Sequence, residues 1–151
     1  MGGGAVMTKP LLAAQVYTIR NFIKTEPDFA QSMAKLGAIG YTAVQLDLEH
    51  HPDLPAAAIK RLCDEAGLAI CIAHFNYDLF LHELDAIIER QKTWACPNTA
   101  IVAMPERYHE LGADGYRRFA AEATALGEKL AAAGIALSYH NHSFEFVRFG
   151  Q

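Results

Sequence analysis

His140-Asn141-His142-Ser143-Phe144-Glu145-Phe146 sets two imidazoles and a carboxylate directly behind an apolar run. If Ile135–Tyr139 is a strand, alternation puts His140 and His142 on one face and leaves Glu145 just past the strand end. Such a group suits a divalent metal or a proton-transfer site. Out of context, a His-x-His pair is as often structural or substrate-contacting as metal-binding. Glu145 could equally cap the segment that follows.

Other predicted strand ends are just as polar. The first strand and its end deliver Gln15, Tyr17, Thr18 and Arg20. The second delivers Gln45, Asp47, Glu49, His50 and His51, the third ends at His74, Asn76 and Asp78, and the fourth at Met104, Pro105, Glu106 and Arg107. All but His82 and His109 of the seven histidines fall just past a strand. In parallel α/β folds, ligands bind beyond the carboxyl ends of the strands.

The elements that must position these groups repeat at a spacing of roughly 30 residues. Short apolar runs, as expected of parallel strands buried on both faces, occur at Leu11–Tyr17, Ala43–Leu46, Ala69–Ala73, Thr99–Ala103 and Ile135–Tyr139. Phe29, Met33 and Leu36 mark a first helix, with Thr25 and Asp28 as its capping pair. A second runs through Ile59, Leu62 and Cys63, with Pro55 in its first turn. The third carries Leu84, Ile87, Ile88 and Gln91, and the fourth Phe119, Ala123, Leu126 and Leu130, with Ala120 to Ala133 as packing surface. Gly40, Gly67 and Gly134 stand where a left-handed residue ends a helix, and Pro97 with Asn98 takes that place before the fourth strand.

Five strands and four helices fit two architectures: a flavodoxin-like open parallel sheet, or the first part of a (β/α)₈ TIM barrel, which needs about 250 residues. Length favours the open sheet. Polar residues at every strand end favour the barrel, as does the absence of G-x-G-x-x-G after the first strand.

With 13 Lys+Arg against 17 Asp+Glu, the net charge of −4 argues against a nucleic-acid surface. No run approaches the ~18 apolar residues of a membrane helix. Cys63, Cys71 and Cys96 form no C-x-x-C pair, and read as core thiols in a cytoplasmic protein. Residues 1–10 read as a disordered leader, and 11–151 as the amino-terminal part of a single domain.

Gln15-Val16-Tyr17-Thr18-Ile19-Arg20, Gly40-Tyr41-Thr42-Ala43-Val44-Gln45, Ala66-Gly67-Leu68-Ala69-Ile70 with His74, and above all Tyr139-His140-Asn141-His142-Ser143-Phe144-Glu145-Phe146 together resemble the sugar phosphate isomerase/epimerase family, the xylose isomerase-like TIM barrels. The resemblance implies a barrel truncated to about five strands, lacking strands six to eight. It also implies a divalent metal (manganese, zinc, cobalt or magnesium) and proton transfer through an enediolate. Carried over, His140 is the metal ligand, Glu145 the catalytic carboxylate, and Arg20, Gln45, His74 and His142 the substrate-binding residues. Gln45 stands where an acidic residue is frequent in that family, and His140 or His142 where many relatives place a glutamate. The implied partner is a small sugar, together with homo-oligomer formation or association through exposed sheet edges. Competing readings are a catalytically incomplete half-barrel that needs a partner, an apurinic endonuclease of the same superfamily, and an open-sheet binding domain.

Overall fold

Each apolar run becomes a short strand that pairs in parallel with the next one in sequence. The structure, a computed structural model, describes residues 12–47 and 53–150. The expected leader, Leu11 and the Glu49-His50-His51 cluster lie outside those residues. The strands are β1 (Ala13–Gln15), β2 (Ala43–Asp47), β3 (Ala69–Phe75), β4 (Asn98–Ile101) and β5 (Ala136–Tyr139), in the sheet order β1-β2-β3-β4-β5. A flavodoxin-like sheet would be ordered 2-1-3-4-5. In this chain every crossover steps the same way. Right-handed connections therefore set all the helices on one face, as in a barrel wall.

The helices are α1 (Glu26–Ile39), α2 (Ala56–Glu65), α3 (Tyr77–His82), α4 (Leu84–Thr93), α5 (Glu106–His109) and α6 (Gly112–Ala132). In α1 the expected cap forms: the Asp28 amide donates to Thr25 Oγ1 at 3.3 Å, and the Thr25 hydroxyl donates to Asp28 Oδ2 at 2.7 Å. Phe29, Met33 and Leu36 are its buried stripe. Together with Leu46, Ile59, Phe75, Ile87, Ile101 and Leu130 they build the core between helices and sheet. Trp94, 1% exposed, donates its indole N–H to the Ala56 carbonyl at 3.0 Å and so ties the end of α4 to the start of α2.

A second cluster closes the β3–β4 side. The rings of Tyr77, Tyr108 and Phe119 meet edge-on with centroids 5.1 to 6.1 Å apart. Both phenols donate to Glu122 Oε2, Tyr77 at 3.0 Å and Tyr108 at 2.5 Å, while Arg118 Nε donates to Oε1 at 2.8 Å. α3, α5 and α6 are thereby joined through one carboxylate.

Several boundaries differ from expectation. β1 stops at Gln15, because the chain turns into a 3-10 helix (Val16–Phe22) where the Thr18 hydroxyl donates to the Gln15 carbonyl at 2.7 Å. Pro55 is the residue before α2 rather than part of its first turn. The third helix is broken into α3 and α4 at Glu83 (φ −131°, ψ 30°). His109 ends the short α5, and α6 begins several residues before Phe119. Cys63 and Cys96 are buried core thiols as expected, and burial pushes Cys63 up to about 12, whereas Cys71 is only half-buried.

Gly40, Gly67 and Gly134 take the positive φ expected of them, but before β4 that conformation falls on Ala95 (φ 51°), not on Pro97 or Asn98. A β-carbon at positive φ costs about 1 kcal/mol, which glycine avoids. Ala95 is exposed, so no packing is lost with its methyl. Ala95→Gly should stabilise the fold by up to about 1 kcal/mol, raising Tm by about 3 °C. A lower Tm would show that this turn is not strained.

β3 has one residue more than β2 needs. Val44 pairs with Ile70 but Gln45 pairs with Ile72, so Cys71 is bulged out of register. Its thiol donates to the Val44 carbonyl at 3.3 Å.

Candidate functional site

The bulge decides which side chains meet. After it, Asp47 pairs with His74, His74 with Ala100, and Ala100 with Ser138. Paired residues in parallel strands share a face, and alternation adds Gln45 before Asp47 and His140 after Ser138. Without the extra residue, Asp47 would oppose Ala73 and His74 would turn into the core. The helix side of these strands carries Leu46, Ala73, Phe75, Thr99 and Ile101, all buried. The other side carries a row of polar groups.

Within that row, Gln45 Nε2 lies 3.2 Å from His74 Nδ1. An amide nitrogen only donates, so Nδ1 accepts and the neutral ring keeps its proton on Nε2. Burial lowers the His74 pKa, His140 nearby lowers it further, and Asp47 partly opposes both. His74 is therefore neutral near pH 7, with an N–H to offer. Its ring meets His140 edge-on at 5.1 Å, and the His140 and His142 rings are 4.9 Å apart. The His140 amide, donating to the Ile101 carbonyl at 3.0 Å, extends the β4–β5 ladder to this point.

A network behind the histidines fixes the loop after β5. Tyr139 faces away from the row, accepts the Met104 amide at 2.9 Å, and donates its hydroxyl to Glu145 Oε1. Glu145 Oε2 accepts the His142 amide at 2.6 Å, closing a capping box on the 3-10 turn Ser143–Phe146. The His142 ring stacks on Phe144, 5.4 Å between centroids with planes 9° apart. Of the two expectations for Glu145, the geometry displays the cap: both its oxygens are engaged in positioning the loop. On the same rim, a cavity of about 440 Å³ opens beyond β3 and β4, lined by Asn76, Asp78, His82 and Met104 among others.

The structure thus brings together Gln45, His74, His140 and His142, and holds Glu145 beside them. Arg20 is not drawn into the row. Its Nη1 donates to the Tyr17 carbonyl at 3.0 Å, and its guanidinium stacks 4.2 Å from the Tyr17 ring centroid. Tyr139 and Met104 acquire positioning roles that residue type and spacing do not indicate. The alternation that places His140 on one face also places Tyr139 on the other, but no spacing rule points to Glu145 or Met104 as its partners.

Among the described residues, no three histidine, cysteine or acidic side chains converge as a metal site. The expected metal ligand His140 has the imidazoles of His74 and His142 as neighbours, and the three are not arranged to hold a divalent cation between them. No helix among them is long and apolar enough to cross a membrane.

No protein-family model and no curated protein matches the chain. Solved structures do. The 1.70 Å crystal structure of a sugar phosphate isomerase/epimerase from Parabacteroides distasonis superposes with a TM-score of 0.71 at 20% identity, covering 96% of this chain and 56% of that one. An AP endonuclease, family 2, from Brucella melitensis gives 0.58 at 15% identity, over 87% of this chain and 55% of that one. A xylose isomerase-like TIM barrel/4-hydroxyphenylpyruvate dioxygenase fusion protein gives 0.54 at 12%, over 84% and 21%. The chain spans about half the length of the first two. At such identities the likeness is one of fold: five parallel strands with their helices, arranged as in part of a xylose isomerase-like TIM barrel.

Proposed function

We propose that this chain forms part of the substrate-binding rim of an enzyme that isomerises or epimerises a sugar or sugar phosphate. The observation that carries the reading is the row Gln45–His74–His140–His142, assembled from three strands on the face opposite the core. The neutral His74 ring and the Gln45 carbonyl offer a donor and an acceptor, matching the paired hydroxyls of a sugar. Proton transfer beside a carbonyl needs a group that accepts and then returns the proton, and imidazole does both near neutral pH. His140 and His142 supply it. Glu145, held by Tyr139 and the His142 amide, positions them.

A divalent metal with His140 as one ligand would need donors from outside the described residues, and the histidines bind and move protons in this scheme without it. The fold shared with a sugar phosphate isomerase/epimerase supports the substrate class.

Incubation with a panel of aldoses, ketoses and their phosphates in D₂O, followed by NMR, tests the reading. Deuterium should enter at the carbon beside the carbonyl, and His140→Ala should slow that entry about a hundredfold. No exchange with any sugar of the panel would remove the proposal.

A second reading, a barrel segment that pairs with another chain, rests on β1 and β5 each having one neighbour in the described sheet. Open strand edges invite such pairing. A single 16.6 kDa species in light scattering at all concentrations would dismiss it.

A further inference from the structure

The polar face of the sheet reaches one strand further than the histidines and Gln45. Ala14 is buried in the core, so alternation turns Gln15 to the opposite face of β1. There it pairs with Gln45 in the β1–β2 register. Gln15 is half-buried. Its backbone carbonyl accepts the Thr18 hydroxyl, whereas its side-chain carboxamide makes no hydrogen bond among the described residues. Gln45 commits its Nε2 to His74, which leaves its side-chain oxygen open. Two neighbouring carboxamides thus present an acceptor from one strand, and both donors and an acceptor from the other. A hydroxyl donates and accepts at once, so it matches this pair. An anion has no proton to give the Gln45 oxygen.

Distance along the row sets what can touch both ends. The His140 and His74 ring centroids are 5.1 Å apart, and Gln45 Nε2 lies 3.2 Å from His74 Nδ1. Gln15 stands one strand beyond, a further step of about 4.8 Å. His140 and the Gln15 carboxamide are therefore on the order of 12 Å apart, given that strand spacing. A hydrogen bond at each end takes up about 3 Å, leaving roughly 6 Å for the ligand. Proton transfer beside a carbonyl acts on the open chain of a sugar. With bonds of about 1.5 Å, three carbons in line reach about 2.5 Å and six about 6 Å.

We infer that Gln15 is a further substrate-binding residue, which selects open-chain sugars of five or six carbons over three-carbon ones by holding hydroxyls far from the reacting carbon. This rests on the sugar-isomerase reading above and adds to it the length of the substrate.

The full chain, ¹⁵N-labelled, is titrated with sorbitol and with glycerol, unreactive polyols of six and three carbons. Sorbitol should shift the side-chain amide resonances of Gln15 and Gln45 saturably, and bind at least tenfold more tightly than glycerol. Gln15→Ala should weaken sorbitol about tenfold, the effect of losing a neutral hydrogen bond, and so remove most of that preference. Shifts confined to Gln45, equal affinity for the two polyols, or unchanged sorbitol binding by Gln15→Ala would each overturn the inference. So would the absence of any shift at Gln15. Deuterium exchange into the sugar panel, measured on the same sample, then tells whether the proposed function falls with it: exchange retained leaves that reading standing.

Discussion

Gly115→Ala is expected to destabilise the fold by about 3 kcal/mol or more, the upper end for overpacking a close-packed site. Gly115 sits in the first turns of α6, where a β-carbon would come 1.8 Å from the Tyr108 carbonyl oxygen and 2.8 Å from its carbon. Both are backbone atoms at the end of α5, so no rotamer change relieves the clash. The two helices must separate, which also pulls Tyr108 away from Phe119 and Glu122. For a chain of this size Tm should fall by about 8 °C. Gly127→Ala, in the same helix, is the control. Its added methyl meets only Leu137 side-chain atoms at 3.8 Å, so it should stabilise by about 0.5–1 kcal/mol through helix propensity. Equal Tm changes in the two variants would contradict the packing described for α5 and α6.

Glu122→Ala should cost about 3 kcal/mol, because it strands two phenol hydroxyls whose rings are almost wholly buried. Tyr77 and Tyr108 are 2% and 4% exposed and donate to the same carboxylate oxygen. The Tyr108 hydroxyl, then Arg118 and Tyr77, hold the Glu122 pKa down at about 2, against an ordinary 4.5. A carboxyl with a depressed folded-state pKa stabilises fully above its unfolded value and less as acid protonates it. The wild-type chain should therefore lose stability between about pH 4.5 and pH 2. Glu122→Gln should start less stable at pH 7 and show a flatter profile across that window. Urea unfolding at half-unit pH steps measures both, and parallel profiles for the two proteins would refute the linkage.

The alternation of strand and helix was legible because buried parallel strands are short apolar runs and the helices keep their period. Phe29, Met33 and Leu36 face the core as the spacing predicts, and the Thr25 cap forms. The barrel-like arrangement followed from polar residues at every strand end, and the sequential strand order bears it out. The break at Glu83 was not legible, since neither glycine nor proline marks it. Nor was α5, which is a single turn starting after Pro105. At the site, His140 and His142 could be placed by alternation, and His74 by its strand end. What Glu145 touches could not be read, because it reaches the Tyr139 hydroxyl through a loop whose course depends on tertiary packing. The bulge was hidden for another reason. Ala69-Ile70-Cys71-Ile72-Ala73 is apolar throughout, and a run without polar residues carries no mark of which side each residue takes.

That surplus residue acts as a phase shifter within β3. The segment before it keeps step with the hydrophobic interior, and the segment after it keeps step with the chemistry at the rim, so the two halves can vary under separate constraints. Losing one residue there would shorten the chain trivially yet exchange inside for outside beyond it, sending an imidazole into oil and the Phe75 ring towards water. Length at this point is a more sensitive parameter than composition.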